Sequence, residues 1–304
     1  MSLDTSHIRK AARDWRVVRC LILFIAAATA IPSQAADVEV RRNIAYTKPA
    51  DTSRRLDVYT TNDAKDWPIM VWIHGGGWKQ GDKAGVQAKP VAFIDHKFVF
   101  VSINYRFIPD VTVQEMAGDV AKAIRWVHDH AAEIGGDPNK IYIAGHSAGA
   151  HLSALVAVDE SYLKAEGMSL TDLKGCIPVD TAVYDIAAQL KGIPAIRART
   201  YHPVFGDDPT IQAKLSPITH VAKGKGIPPL LVLHVADRPD STAQSNAFAK
   251  ALKEAGVSAS TYPAEGKNHG SINVDLGKAD DKPTAALFGF LKSTLAELDA
   301  FSTP

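Results

Sequence analysis

The stretch "IYIAGHSAGAHLSALVAV", residues 141–158, changes its period in the middle. Ile141-Tyr-Ile-Ala144 is a continuous apolar run, the pattern of a strand covered on both faces. From Ala148 onward the apolar spacing suits a helix, and Gly145-His146-Ser147-Ala148-Gly149 stands between the two. Glycine on each side leaves room for a sharp turn and a close backbone approach. A serine on such a turn reads in two ways: as a hydroxyl presented free at the end of a strand, or as an ordinary helix N-cap.

Working outward, residues 38–46 and 55–60 alternate apolar and polar, as half-exposed strands forming an antiparallel entry to a sheet do. Residues 68–73, 98–103 and 230–235 are apolar runs, expected as strands covered on both sides. Val113, Met116, Val120, Ala123, Ile124 and Val127 predict a helix within 112–134, stopped by Gly135-Gly136-Asp137-Pro138. Residues 243–255 and 283–298 read as helices, with a short strand near 258–262 between them. Strands alternating with helices predict an α/β fold with a mostly parallel, doubly wound sheet, because parallel neighbours need a crossover connection. Reactive groups in such sheets gather beyond the carboxyl ends of the strands. That rule puts Gly75, Ser147, Asp237 and His269 on one rim. Residues 184–217, with scattered Pro, Gly and aromatic positions, read as a small irregular insertion over it.

The chain of 304 residues is 46% hydrophobic and 22% charged, enough apolar material for one sizeable core. Residues 1–35 are set apart from it. Arg9, Lys10, Arg13, Arg16 and Arg19 precede the apolar run 20–30, and Ser33-Gln34-Ala35 follows as a small-residue site. This is the pattern of a secretory signal cleaved after Ala35, leaving one domain over 36–304 and an exported, periplasmic or secreted, protein. A membrane anchor is the alternative, but the run is shorter than the roughly 20 residues that cross a bilayer. Removing the five Lys/Arg and two Asp/Glu of residues 1–35 turns 34 against 33 into 29 against 31. A charge near minus two argues against nucleic acid or an anionic membrane as the main partner. Cys20 would leave with the signal, so Cys176 has no disulfide partner.

A serine hydroxyl is a weak nucleophile until a base takes its proton, and the oxyanion it creates needs donors already aimed. His74-Gly75-Gly76-Gly77-Trp78 follows a predicted strand and supplies unobstructed N–H groups. Gly76 and Gly77, with the amide of Ala148, are the expected oxyanion hole; a merely flexible turn is the alternative. His269, in Asn268-His269-Gly270, falls late in the chain where the base of such an arrangement lies. The acid that orients it is expected after the strand 230–235, at Asp237 or Asp240, and Asp237 is favoured because it comes directly off the strand end. The order Ser, Asp, His is the one this arrangement uses. His128 and His130, two apart on a helix, face different ways, and no His-Glu-x-x-His or paired-cysteine spacing predicts a metal site. Trp78, Phe107, Tyr184, Tyr201 and Phe205 are candidates to line a cleft or, equally, to pack in the core.

Over residues 38–298 the chain resembles the α/β-hydrolase superfamily, in its esterase/lipase branch with a His-Gly-Gly-Gly motif. Gly145-His-Ser-Ala-Gly-Ala-His-Leu152 is similar to the corresponding stretch of carboxylesterases, arylformamidases and bacterial feruloyl or acetyl-xylan esterases. The resemblance implies a serine esterase without cofactor, working through an acyl-enzyme on a small-molecule ester. An arylformamidase acting with the same triad stays open, and a noncatalytic hydrolase-fold binding protein is the alternative of a different class, disfavoured because such proteins arise by losing triad members and here every part is present. The turn Ala236-Asp-Arg-Pro-Asp240 departs from the Asp-Pro-Leu type of related lipases, which puts the identity of the acid in question.

Overall fold

The apolar runs with no polar face lie in the middle of one eight-stranded sheet. A computed structural model describes residues 37–192 and 195–302, with the backbone alone for 195–199 and 301–302; the signal-like residues 1–35 lie outside the described residues. In chain order the elements are β1 (Val38–Ala45), β2 (Arg55–Thr61), β3 (Trp67–Ile73), α1 (Lys89–Asp95), β4 (Val99–Ile103), α2 (Val113–Asp129), β5 (Gly136–His146) and α3 (Ala148–Val158). Then come α4 (Glu160–Ala165), β6 (Leu173–Val179), α5 (Ile186–Gly192), α6 (Ala195–Phe205), α7 (Pro209–Leu215), β7 (Leu230–Val235), α8 (Pro239–Glu254), β8 (Ala259–Ala264), α9 (Ser271–Val274) and α10 (Lys282–Ser302).

Strand order is β1-β2-β4-β3-β5-β6-β7-β8. The first two strands enter antiparallel and the remaining neighbours are parallel, as the alternation of elements predicts. Successive residues of each strand point to opposite faces, so the sheet feeds two apolar layers. Val71, Ile143 and Val232 pack with Val120 and Ile124 of α2, Leu152 of α3 and Phe248 of α8 on one side. Trp72, Tyr142 and Leu233 pack with Phe93 of α1 and Leu287 and Leu291 of α10 on the other. Thr112 opens α2 with a reciprocal cap: its Oγ1 accepts from Glu115 N–H and its own N–H donates to Glu115 Oε2. The helix ends at Asp129, short of the expected Ile134, and a 3-10 turn at Ala132–Ile134 closes on Gly135 in the left-handed region.

Two differences from the sequence expectation matter for the site. β6 has no counterpart among the predicted strands, because Pro178 sits inside it and proline argues against a central strand. Cys176 N–H donates to Pro229 O and Asp180 N–H to Leu233 O, so the amide between them, where Pro178 stands, is the one this ladder forgoes. The insertion 184–217 is not irregular but carries three short helices, α5, α6 and α7. Asp208 caps α7, with Pro209 at its first position.

β5 and α3 meet where two glycines permit it. A Cβ on Gly145 would lie 2.4 Å from Gly149 O, and one on Gly149 would lie 2.1 Å from Ile73 O. Gly118 in α2 has nothing within 4 Å of such a Cβ. Gly149→Ala is therefore expected to lose more than about 3 kcal/mol of stability, while Gly118→Ala gains about 0.5–1 kcal/mol. Urea unfolding of the two variants checks this; equal effects would contradict the packing described.

Candidate active site

Ser147 has φ 57° and ψ −114°, outside the regions a side chain other than glycine ordinarily adopts. The strain is held by its surroundings: Ser147 N–H donates to Val179 O at the end of β6, and Ser147 O accepts from His151 N–H in the first turn of α3. Its side chain makes no helix cap and points instead to His269, whose Nε2 lies 2.9 Å from Ser147 Oγ. The ordinary N-cap reading is thereby replaced by a serine paired with an imidazole.

His269 comes from the turn after β8. Asn268 Oδ1 accepts from Gly270 and Ser271 N–H, and Asn268 N–H donates to Ser271 Oγ, which fixes the turn locally. Two further contacts hold it from the core side. His146 Nε2 meets the carbonyl oxygen of His269 at 2.8 Å, and the two rings lie 4.6 Å apart. Burial, and then the nearby His269, push the His146 imidazole down to about 3, so it stays neutral and donates through Nε2. Lys89, at the start of α1, lies under the Trp72 ring and donates to Asn273 O in α9. Burial pushes its ammonium down to about 7.

The acid beside His269 is Asp180, and this corrects the expectation of Asp237. His269 Nδ1 lies 2.6 Å from Asp180 Oδ2. Asp180 follows β6 directly, and its own positive φ of 53° turns the chain there. Its carboxylate is wholly buried. Oδ1 accepts from Val235 N–H at 3.1 Å and Ser241 Oγ at 2.7 Å, and Oδ2 accepts from His269 and from the Arg238 guanidinium. Burial pushes this carboxyl up, but the His269 hydrogen bond, the Arg238 charge and the other two donors outweigh it and hold it well below the usual carboxylate range. Asp237 is exposed on the turn after β7. Asp240 bonds Gln189 Nε2 at 3.3 Å and lies 3.7 Å from Arg238 Nη2. That turn thus directs Arg238, not a carboxylate, at the histidine. Asp180, Arg238 and His146 escape the sequence reading; the signal for the first was the apolar run 176–179 ending in Asp, masked by Pro178.

The glycine turn after β3 lies against the elbow. A Cβ on Gly75 would stand 3.1 Å from Ser147 Cβ. Gly76 has φ 128°, and a Cβ there would overlap Gln80 O at 1.8 Å; Gly77 has φ 63° with nothing within 4 Å of the same point. Ala148 is the first residue of α3, where helix N–H groups lack intrahelical acceptors. The structure thus brings Gly76, Gly77 and Ala148 to the same end of the sheet as Ser147. Of the aromatic candidates, Tyr184 stacks on Phe248 in the core, 4.5 Å between centroids. Trp78 meets His151, Tyr201 and Phe205 edge to face, and so joins the glycine turn to the elbow helix and α6. Among the described residues no group of three or more His, Cys, Asp and Glu could hold a metal ion, and no helix is long and apolar enough to cross a membrane.

A parallel sheet with a strained serine on a strand-to-helix turn, facing a histidine and a buried aspartate, defines an α/β-hydrolase. Residues 56–252 match the BD-FAE family, and the chain belongs to it. It is 32% identical over 233 residues to Esterase LipQ of Mycobacterium tuberculosis, covering 70% of this chain and 53% of that protein. It is 28% identical to the probable isoprenylcysteine alpha-carbonyl methylesterase ICME of Oryza sativa, covering 77% and 59% respectively. The chain thus spans somewhat over half the length of these curated relatives. Thermogutta terrifontis esterase 2, in a structure phosphonylated by sarin, superposes with a TM-score of 0.67 at 27% identity over 88% of this chain and 97% of that one. A truncated carbohydrate esterase from gut microbiota shares the fold, with a TM-score of 0.73 at 23% identity, over 86% and 98%.

Buried histidines make stability depend on pH. His151 Nε2 bonds Leu215 O at 2.8 Å, its Nδ1 is buried without a partner, and burial pushes it down to about 4. Both His146 and His151 have an ordinary value of 6.5 and are depressed when folded. The unfolded chain therefore takes up protons that the folded chain refuses, and stability falls as pH drops below 6.5. The slope is up to about 1.4 kcal/mol per pH unit for each histidine. Unfolding free energies between pH 6.5 and about 4.5 should show it, and His151→Gln should remove its share; a slope unchanged in the variant would contradict the assignment.

Proposed function

We propose that the chain is a serine carboxylic-ester hydrolase with Ser147 as nucleophile, His269 as base and Asp180 as the orienting acid. One observation carries the reading: the unbroken hydrogen-bonded series from Ser147 Oγ through both ring nitrogens of His269 to a buried carboxylate. The names of the relatives as esterases support the ester class. His269 Nε2 takes the Ser147 proton as Oγ attacks the ester carbonyl. Amides of Gly76, Gly77 and Ala148 receive the negative charge on the former carbonyl oxygen. Collapse breaks the bond to the alcohol, which leaves with the proton from His269, and an acyl group remains on Ser147. Water, deprotonated by the same imidazole, then releases the carboxylic acid. Asp180 keeps the other proton on Nδ1, leaving Nε2 as the basic nitrogen.

The basic segment and apolar run before Ala35 support export with cleavage after that residue, which the N-terminal sequence of the processed protein tests. For the catalytic reading, Ser147→Ala is expected to abolish turnover of 4-nitrophenyl acetate with folding intact. Asp180→Asn should lower kcat by about 10^3 to 10^4, and Asp237→Asn should stay within about twofold of the parent. If Asp237→Asn is the inactive one of the two aspartate variants, the acid has been misassigned.

A further inference from the structure

We propose that Arg238 is a positioning residue of this triad, sharing Asp180 Oδ2 with His269 and thereby setting the pH range in which the histidine serves as base; the inference rests on the triad reading above. Arg238 Nη1 bonds Asp180 Oδ2 and lies 2.8 Å from His269 Nδ1. A neutral imidazole that is basic at Nε2 carries its hydrogen on Nδ1, and a guanidinium nitrogen is only a donor. The two nitrogens therefore do not bond each other. They meet because both donate to one carboxylate oxygen, and the other oxygen is already taken by Val235 N–H and Ser241 Oγ.

The arrangement has a positional and an electrostatic result. The guanidinium fixes Oδ2 where His269 needs it, so the imidazole has one orientation. It also sets a permanent positive charge against the ring that must become positive when Ser147 gives up its proton. Asp180's single negative charge then serves two cations instead of one. The ring is in reach of solvent, its side chain being 45% exposed. His146 is neutral over the working range. Asp240 lies on the far side of the guanidinium, 3.7 Å from Nη2, and Asp237 is exposed on the same turn.

The test is the pH dependence of kcat/KM for 4-nitrophenyl acetate, read where phenol and phenolate absorb equally, in the full chain and in Arg238→Met, Arg238→Lys and Asp180→Asn. Removing the cation leaves the imidazole facing an unshared carboxylate, so the acid limb of Arg238→Met is expected to move up by about one pH unit. Arg238→Lys restores the charge and should return the limb most of the way, which a purely structural role would not do. An Arg238→Met limb that coincides with the parent, or an Arg238→Lys limb that follows Arg238→Met, overturns the proposal. Should Arg238→Met not fold, Arg238→Gln carries the same comparison. Asp180→Asn separates the two readings. Near-parental turnover there means that the triad reading has failed, whereas loss of turnover with unmoved Arg238 limbs means that only the role of Arg238 has.

Discussion

A carboxylate with no access to water needs donors for its lone pairs, and Asp180 collects four from separate parts of the chain. Val235 N–H comes from β7, Ser241 Oγ and the Arg238 guanidinium from the start of α8, and His269 from the turn after β8. An ionised carboxylate buried without such partners would cost several kcal/mol. The same requirement therefore fixes the relative placement of β6, β7, α8 and the histidine turn. Fold and site share one constraint here: the carboxylate beside His269 is also the group that the local packing is arranged to satisfy.

The second fixed point is the elbow. Ser147 keeps a conformation unfavourable for a side chain because its N–H and C=O are both engaged and because Gly145 and Gly149 let three backbone segments meet closely. Its N–H is held by Val179, the residue before Asp180. Ser147 itself makes this hydrogen bond, and Asp180 is one residue removed from it. His146 adds the third link, tying the elbow to the backbone of His269 while its ring nitrogen stays uncharged. Neither His146 nor Arg238 reaches the Ser147 hydroxyl in these contacts; both lie against His269, His146 at its backbone carbonyl and Arg238 beside its ring.

What was legible in the sequence followed from local pattern. The period change at 141–158, the three glycines after β3 and the late Asn-His-Gly each carry their own signature, and each lies where the parallel-sheet rule puts it. Asp180, the carboxylate beside His269, had no such signature. Its choice depended on knowing which strand ends beside the histidine, and the Pro178 that forgoes one ladder bond made β6 read as something other than a central strand. Asp237 was favoured over Asp240 because it comes off the end of β7, an unmistakable strand. The insertion was misread for a different reason. The helices α5, α6 and α7 are short, and part of their order comes from caps such as Asp208 and from Phe205 against Trp78, which periodicity does not report.

The expected and the observed carboxylate positions lie at the ends of neighbouring strands. β6 and β7 are parallel neighbours, with Val179 opposite Leu233, and adjacent strands lie about 4.8 Å apart. A side chain leaving either end can reach the same imidazole. Once β6 supplies the carboxylate, however, the turn after β7 faces a buried negative charge, and an aspartate aimed inward from that turn would add a second. The chain answers with Arg238 pointing in and Asp237 pointing out. The arginine thus gives the buried carboxylate after β6 a cationic partner from the very turn in which the sequence reading expected the acid itself.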